Sequence, residues 1–334
     1  MLVTGGAGFL GSHVADSLLG MSHQVVVLDD LSGGRRDLVP AGAEFVEGDI
    51  GDAALVDALF ARHKFDVVYH LAAYAAEGLS HFIRRFNYTN NVVGSVTLID
   101  AAVNHGVRRF VFTSSIAVYG AGQLPMSEDQ VPQPEDPYGI AKHAVERDLD
   151  AAFRQFGLEY VIFRPHNVYG ERQNVADPYR NVVGIFMRAA LEGRPMLVFG
   201  DGSQTRAFSY VGDVAPVIAR GGVEPGARND VFNVGSDTAV SVRDLAERVS
   251  ALFDVPCRID EHPARHEVMH AFSSHDKAAR VFGHAASTPL ADGLARMAEW
   301  VRAEQLREPT PFGPIEITRG LPPVWAKRSG GTHA

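Results

Sequence analysis

Short apolar runs alternate with longer amphipathic stretches from the first residues onward. Leu2-Val3-Thr4 reads as a first strand, and Val14, Leu18 and Leu19 form a helical stripe after it. Gln24 to Leu28 predicts a second strand and Glu44 to Ile50 a third. Leu55, Leu59 and Phe60 mark a helix, and Asp66 to Ala73 a fourth strand. A long helix follows over about 87–105, then a fifth strand at Arg109 to Thr113 and a sixth at Tyr160 to Arg164. Apolar strands alternating with helices describe a parallel sheet covered on both faces. The expected fold is α/β, a Rossmann-like doubly wound parallel sheet with a smaller, mixed C-terminal part. In that part Asn181 to Leu191 reads as a helix and Val231 to Val234 as a strand. Ser241 to Asp244 resembles a capping box, with Asp for Glu, ahead of a helix through Leu245, Val249 and Leu252.

The 334 residues are enough for one large domain or two closely packed ones. A net charge of −9 argues against a nucleic-acid partner. Cys257 is the only cysteine, so no intramolecular disulfide can form, which fits a reducing compartment. No apolar stretch is long enough to span a bilayer, and the chain enters its first strand without a signal-peptide pattern. A cytoplasmic protein without membrane partners is expected. Residues 327–334, with Ser329-Gly330-Gly331-Thr332, read as a disordered tail.

The first candidate chemistry is Gly6-x-Gly8-x-x-Gly11, between the first strand and its helix. Such glycines allow a tight turn and offer a helix N-terminus to a pyrophosphate. Asp29-Asp30 ends the second strand about 20 residues on, where an acid binds the ribose 2′-hydroxyl of NAD and repels the 2′-phosphate of NADP. Gly5, Gly8, Phe9, Leu10, Gly11, Asp29 and Asp30 are therefore expected around NAD. Asp49 is suited either to an adenine amino group or to capping the next helix. The small residues after His70 would let a ligand approach closely. Tyr138 and Lys142 lie four residues apart, on one helix face. A phenol titrates near pH 10, and a nearby ammonium lowers that value, so the pair can act as a general base.

In order along the chain, Thr4-Gly5-Gly6-Ala7-Gly8-Phe9-Leu10-Gly11, Asp29-Asp30-Leu31, Gly48-Asp49-Ile50, His70-Leu71-Ala72-Ala73, Thr113-Ser114-Ser115, Val118-Tyr119-Gly120, Pro137-Tyr138 to Lys142 and Arg164 to Gly170 resemble the extended short-chain dehydrogenase/reductase superfamily. Within it the chain is similar to the nucleotide-sugar 4-epimerases of the UDP-glucose type. The resemblance implies Tyr138 as base, Lys142 on the nicotinamide ribose and Ser115 on the reacting hydroxyl. It implies Asp49, Ile50, Leu71, Ala72, Ala73, Asn90 and Pro165 beside the cofactor. Asn167 and Arg206 would meet the substrate diphosphate, and Arg265 with Glu267 the nucleotide ribose and phosphate. Glu77 would border the sugar, either bonding a hydroxyl and repelling a C6 carboxylate or standing as a solvated charge. Ala271 would leave room for an N-acetyl group.

Related dehydratases carry an Asp-Glu pair just after the serine, and other branches an acid or cysteine; Ile116 and Ala117 supply neither. The resemblance thus implies an NAD-dependent 4-epimerase, on UDP-glucose and UDP-galactose first. Alternatives are a 4-ketosugar reductase or dehydrogenase, or an epimerase of UDP-N-acetylhexosamine or UDP-uronic acid. A non-catalytic NAD sensor is opposed by the presence of Ser115, Tyr138 and Lys142 together. The expected organisation is an NAD-binding domain over 1–165, rejoined by segments near 208–235, and a mainly nucleotide-sugar-binding domain over 166–326. A homodimer through the helices beginning near Asn87 and Pro137 is also implied. His262, His266 and His270 recur every four residues, but Pro263 and the resemblance make this a loop, and no metal is expected. Ile315 to Ile317 and Leu321 to Trp325 are expected to dock on the substrate domain.

Overall fold

The computed structural model describes residues 1–265, 267–283, 287–304, 312–313 and 315–326. His266 and the tail 327–334 lie outside the described residues.

The first half runs β1 (Leu2–Thr4), α1 (Phe9–Gly20), β2 (Val26–Asp29), β3 (Glu44–Glu47), α2 (Ala53–His63), β4 (Val67–His70), α3 (Glu77–Ser80), α4 (Arg84–Tyr88), α5 (Gly94–Asn104), β5 (Arg109–Thr113), α6 (Pro137–Phe156) and β6 (Glu159–Pro165). The second half continues with β7 (Val168–Tyr169), α7 (Val182–Leu191), β8 (Met196–Phe199), β9 (Thr205–Ala207), β10 (Ser209–Tyr210), α8 (Val211–Gly221) and β11 (Asp230–Val234). It ends with β12 (Ala239–Ser241), α9 (Val242–Leu252), β13 (Ile259–His262), β14 (His270–Ala271), α10 (Asp276–Phe282), α11 (Leu290–Ala303) and α12 (Pro323–Ala326).

Seven parallel strands form the central sheet in the order β11-β6-β5-β4-β1-β2-β3. From β1 the chain steps outward to β2 and β3, then returns to β4 on the other side. That reversal opens a crevice at the carboxyl ends of β1 and β4, where such sheets bind ligands. Every residue of β4 and β5 is buried, as expected of strands covered on both faces. One face packs Val14 and Leu18 of α1 with Val214 and Ile218 of α8. The other packs Phe60 of α2, Leu98 of α5 and Leu149 of α6. Among the described residues no helix is long and apolar enough to cross a membrane.

Three local features depart from the sequence reading. The long helix near 87–105 is α4 and α5 joined by a π-helical turn over Thr89–Val93. Asn91 in that turn accepts from the Tyr74 amide at 2.9 Å and donates to the Tyr74 carbonyl at 3.1 Å. It thereby ties the wide turn to the segment after β4, and π turns often sit at functional sites. Asp52, not Asp49, caps α2, accepting from Ala54 and Leu55. The 315–326 segment docks on the first half as well as the second: Glu316 and Ile317 donate to the Phe82 carbonyl, and Glu316 accepts from the Arg85 and Phe86 amides. Trp325 then packs against Phe82, Tyr179 and Phe199, so apolar contact draws the segment across both parts.

Candidate active site

The glycine turn is built by close packing. Gly5 has φ +70, and a Cβ there would stand 2.7 Å from the Ala72 amide nitrogen. A Cβ on Gly11 would stand 2.1 Å from the Gly5 carbonyl oxygen, so no side chain fits. Asp29 pins the turn, accepting from the Ala7 amide at 3.0 Å and the Leu31 amide at 2.8 Å. Gly8 precedes α1 without a side-chain cap, leaving the first helical N–H groups to the crevice.

α6 begins with Asp136, which accepts from Gly139 at 2.9 Å, followed by Pro137 in the first turn. This start sets Tyr138 and Lys142 on the buried face, 6% and 3% exposed. Lys142 Nζ donates to the Thr113 carbonyl at 2.8 Å, at the end of β5. It lies 5.8 Å from the centre of the Tyr138 ring. Ser115 stands close enough to Tyr138 to favour its phenolate, and its Oγ accepts from the Ala117 amide at 3.1 Å.

The electrostatics reverse one expectation. Burial, then the Glu77 carboxylate, pushes the Tyr138 phenol above its ordinary value, with Ser115 opposing. The neighbouring Lys142 does not overcome this rise. Its own value falls to about 7 because burial disfavours the ammonium, with Glu146 opposing. Glu77 opens onto the cavity, yet protein surrounds it closely enough that desolvation, then Asp136, pushes its carboxyl up to about 7. Arg206 and Arg265 oppose that rise. Glu77 is exposed to the cavity by its accessible surface, so both readings, a partner for a sugar hydroxyl and a solvated charge, stay open.

Tyr138, Lys142, Ser115 and Glu77 line one cavity of about 470 Å³. It brings together Gly5, Gly8, Phe9, Leu10, Gly11, Asp29, Asp30, Asp49, Ile50, Leu71, Ala72, Ala73, Asn90 and Pro165 with Ser115, Tyr138, Lys142, Glu77, Asn167, Arg206 and Arg265. Asn167 adopts φ +40 after β6. Arg206 donates to the Val268 and Met269 carbonyls at 2.7 and 3.0 Å and stands 3.6 Å from Glu267. Arg265 pairs with Glu267 at 3.1 Å and lies over the Phe199 ring. Ala271 is not at the cavity wall. It is buried with Ile116, Val118, Tyr119 and Met126 because β14 turns it toward that cluster, so it cannot set sugar size directly. His262 contacts Asp260 and His270 contacts Thr205. Arg180 and Asn91 escaped the sequence reading; neither falls in a motif, and only the folded chain brings Arg180 to the cavity wall.

Residues 1–235 match the NAD dependent epimerase/dehydratase family. The chain belongs to that family. A UDP-glucose 4-epimerase of Mycolicibacterium smegmatis is 39% identical over 311 residues, covering 90% of this chain and 98% of the relative. Among solved structures, UDP-glucose 4-epimerase of Thermotoga maritima with UDP-glucose superposes with a TM-score of 0.84 at 33% identity, covering 90% of this chain and 98% of that one. The Thermus thermophilus UDP-glucose 4-epimerase in complex with NAD gives 0.85 at 30% identity, with coverage of 90% and 98%. NAD is the cofactor of the family, and the residues present suit it. The side-chain-free glycine turn and the uncapped α1 N-terminus suit a diphosphate, and the carboxylates of Asp29 and Asp30 suit a free ribose diol.

Proposed function

We propose that this epimerase/dehydratase family member is an NAD-dependent nucleotide-sugar 4-epimerase acting on UDP-glucose and UDP-galactose. The observation that carries the reading is the single cavity in which Ser115, Tyr138 and Lys142 stand between a glycine turn and two arginines, Arg206 and Arg265.

Bound NAD supplies a hydride acceptor that can also return the hydride. Gly5 and Gly8 to Gly11 would hold its diphosphate, Asp29, Asp30, Asp49 and Ile50 its adenosine, and Leu71 to Ala73, Asn90, Lys142 and Pro165 its nicotinamide half. Tyr138 takes the proton of the sugar 4-hydroxyl, with Ser115 hydrogen-bonded to the same oxygen, and gives it back to the transient 4-keto sugar. Lys142 orients the nicotinamide ribose from its anchor on Thr113. Asn167, Arg206 and Arg265 hold the nucleotide diphosphate while the sugar turns, guanidinium groups being suited to phosphate oxygens. Glu77 accepts a sugar hydroxyl and disfavours a carboxylate at C6.

Dehydration needs further acid and base groups after Ser115. Ile116 is buried in an apolar cluster and Ala117 carries no ionisable group, which supports epimerisation over that reaction. The division into an NAD-binding part, 1–165 with a return near 208–235, and a sugar-nucleotide part is supported by the pairing of β11 with β6. A homodimer through α4–α5 and α6 is supported by exposed Phe86, Val93 and Ile140 on those segments. A cytoplasmic setting is supported by the single cysteine.

The test is incubation with UDP-galactose and no added cofactor, followed by NMR of the sugars and absorbance of NADH. UDP-glucose without net NADH supports the reading. Stoichiometric NADH assigns a dehydrogenase instead.

A further inference from the structure

Arg180 belongs to none of the motifs above. It lies in the loop before α7, on the substrate side of the chain, yet its guanidinium reaches the opposite wall. A Cβ added to Gly33 would stand 3.4 Å from Nη2 and 3.5 Å from Nη1. Its Cζ lies 4.2 Å from the centre of the Tyr74 ring. Gly33 is in the loop after β2, and Tyr74 is in the segment after β4. In the sheet β1 lies between β2 and β4. A side chain that touches both flanking loops therefore crosses above the turn after β1, which is the glycine turn leading into α1.

The surroundings hold the guanidinium there. Nε is 3.0 Å from the Asp177 carboxylate, off the hydrogen-bond direction, and the aromatic face of Tyr74 supports the plane. The Gly33–Gly34 loop is itself fastened to the turn: the Arg35 amide donates to the Ala7 carbonyl at 2.8 Å, and a Cβ on Gly34 would stand 2.6 Å from that oxygen. A fixed cation thus faces the uncapped N-terminus of α1 across the crevice. Both ends are positive, and an anion between them satisfies both.

We propose that Arg180 clamps the diphosphate bridge of the dinucleotide against the α1 N-terminus, closing the cofactor site from the substrate side and slowing cofactor release. The inference rests on NAD as cofactor and is independent of which sugar is turned over. An epimerase that reuses one cofactor molecule each turn needs such retention, whereas a dehydrogenase that exchanges its cofactor does not.

The experiment compares the full-length protein with Arg180→Gln and Arg180→Lys. NAD per chain is measured after exhaustive gel filtration, and NAD release is timed during a chase with excess ADP-ribose. UDP binding is measured by calorimetry. Arg180→Gln is expected to release NAD roughly 10- to 100-fold faster, with Arg180→Lys intermediate because it keeps the charge and loses the fork. UDP affinity stays unchanged. Release at the wild-type rate from Arg180→Gln overturns the proposal, as does a loss confined to UDP binding. Should the Gln variant fail to fold, Arg180→Lys carries the same comparison, with circular dichroism as the fold check. Because release and UDP binding are read without turnover, failure of the epimerase reading would appear separately, as absent sugar conversion with normal NAD retention.

Discussion

Arg164 and Glu146 form a two-pronged ion pair between sheet and helix: Nη2 lies 2.6 Å from Oε2 and Nε 2.9 Å from Oε1. Both side chains are 5% exposed. Arg164 Nη1 also donates to the Tyr119 hydroxyl at 2.8 Å, which donates to Asn233 of β11. The pair locks α6, and with it Tyr138 and Lys142, to the end of β6 that leads into Asn167. Burial opposes the Glu146 charge, but Arg164 and its neighbours win and hold the carboxyl below its ordinary range.

Removing one partner leaves a buried charge without compensation. Glu146→Gln is expected to cost about 3–5 kcal/mol of stability at pH 7, read by chemical denaturation. The sign of the pH effect follows from the lowered folded-state value. The stabilisation is present above the unfolded carboxyl value of about 4.3 and is lost as pH falls through the lower folded value, so the difference between wild type and Glu146→Gln shrinks in acid. An unchanged denaturation midpoint would show that the pair does not hold α6.

Tyr138→Phe removes the hydroxyl beside Ser115 while keeping the ring. The expected loss in kcat is about 10²–10⁴-fold, with NAD still bound to the purified protein. An NMR time course of UDP-galactose conversion measures the first, and NAD released on acid denaturation the second. Unchanged kcat would remove Tyr138 from the reaction.

Glu77 makes a prediction about substrate charge. Desolvation, then Asp136, pushes its carboxyl up to about 7, so a mainly neutral form in mild acid gives way to an ionised form above neutrality. A C6 carboxylate on the sugar meets repulsion only in the second case. The ratio of kcat/KM for UDP-glucuronate to that for UDP-glucose should therefore rise as pH falls from 8 to 6. Taking a ratio at each pH cancels the ionisation of Tyr138. Glu77→Gln should raise the ratio and flatten its pH dependence. A ratio as steep in the variant as in the wild type would exclude Glu77 as the source.

Gly11→Ala would place a methyl 2.1 Å from the Gly5 carbonyl. The turn has to open, so NAD retention is expected to fall at least about tenfold, a loss of about 1.4 kcal/mol in binding. Gly20→Ala on the same helix meets nothing within 4 Å and should keep NAD, which makes it the control. Equal NAD content in the two variants would refute the close-packed turn.

Much of the sheet was legible because most of its strands carry a short apolar run and the helices between them an apolar stripe. The glycine turn was legible for a similar reason: it lies within one stretch of chain. The π turn was not, because Asn91 reads as an ordinary helical residue until its side chain is seen to bind the Tyr74 backbone. Of the two roles open to Asp49, capping α2 falls instead to Asp52, three residues on, and Asp49 lines the cavity. Ala271 was placed at the sugar by its position along the chain, yet the register of β14 buries it elsewhere.

The sequence by itself determined the order of strands and helices through β6, the glycine turn and the Tyr138–Lys142 spacing, because each depends on residues near one another in the chain. Tertiary structure decided the electrostatics and the closure of the cavity. The Tyr138 phenol is raised by burial and by Glu77, a residue from another element, rather than lowered by the lysine one turn away. Arg180 stands beside both Gly33 and Tyr74 only because β2 and β4 flank β1 in the sheet. Charge and burial act through space, and residue spacing along a chain does not encode the distances that set them.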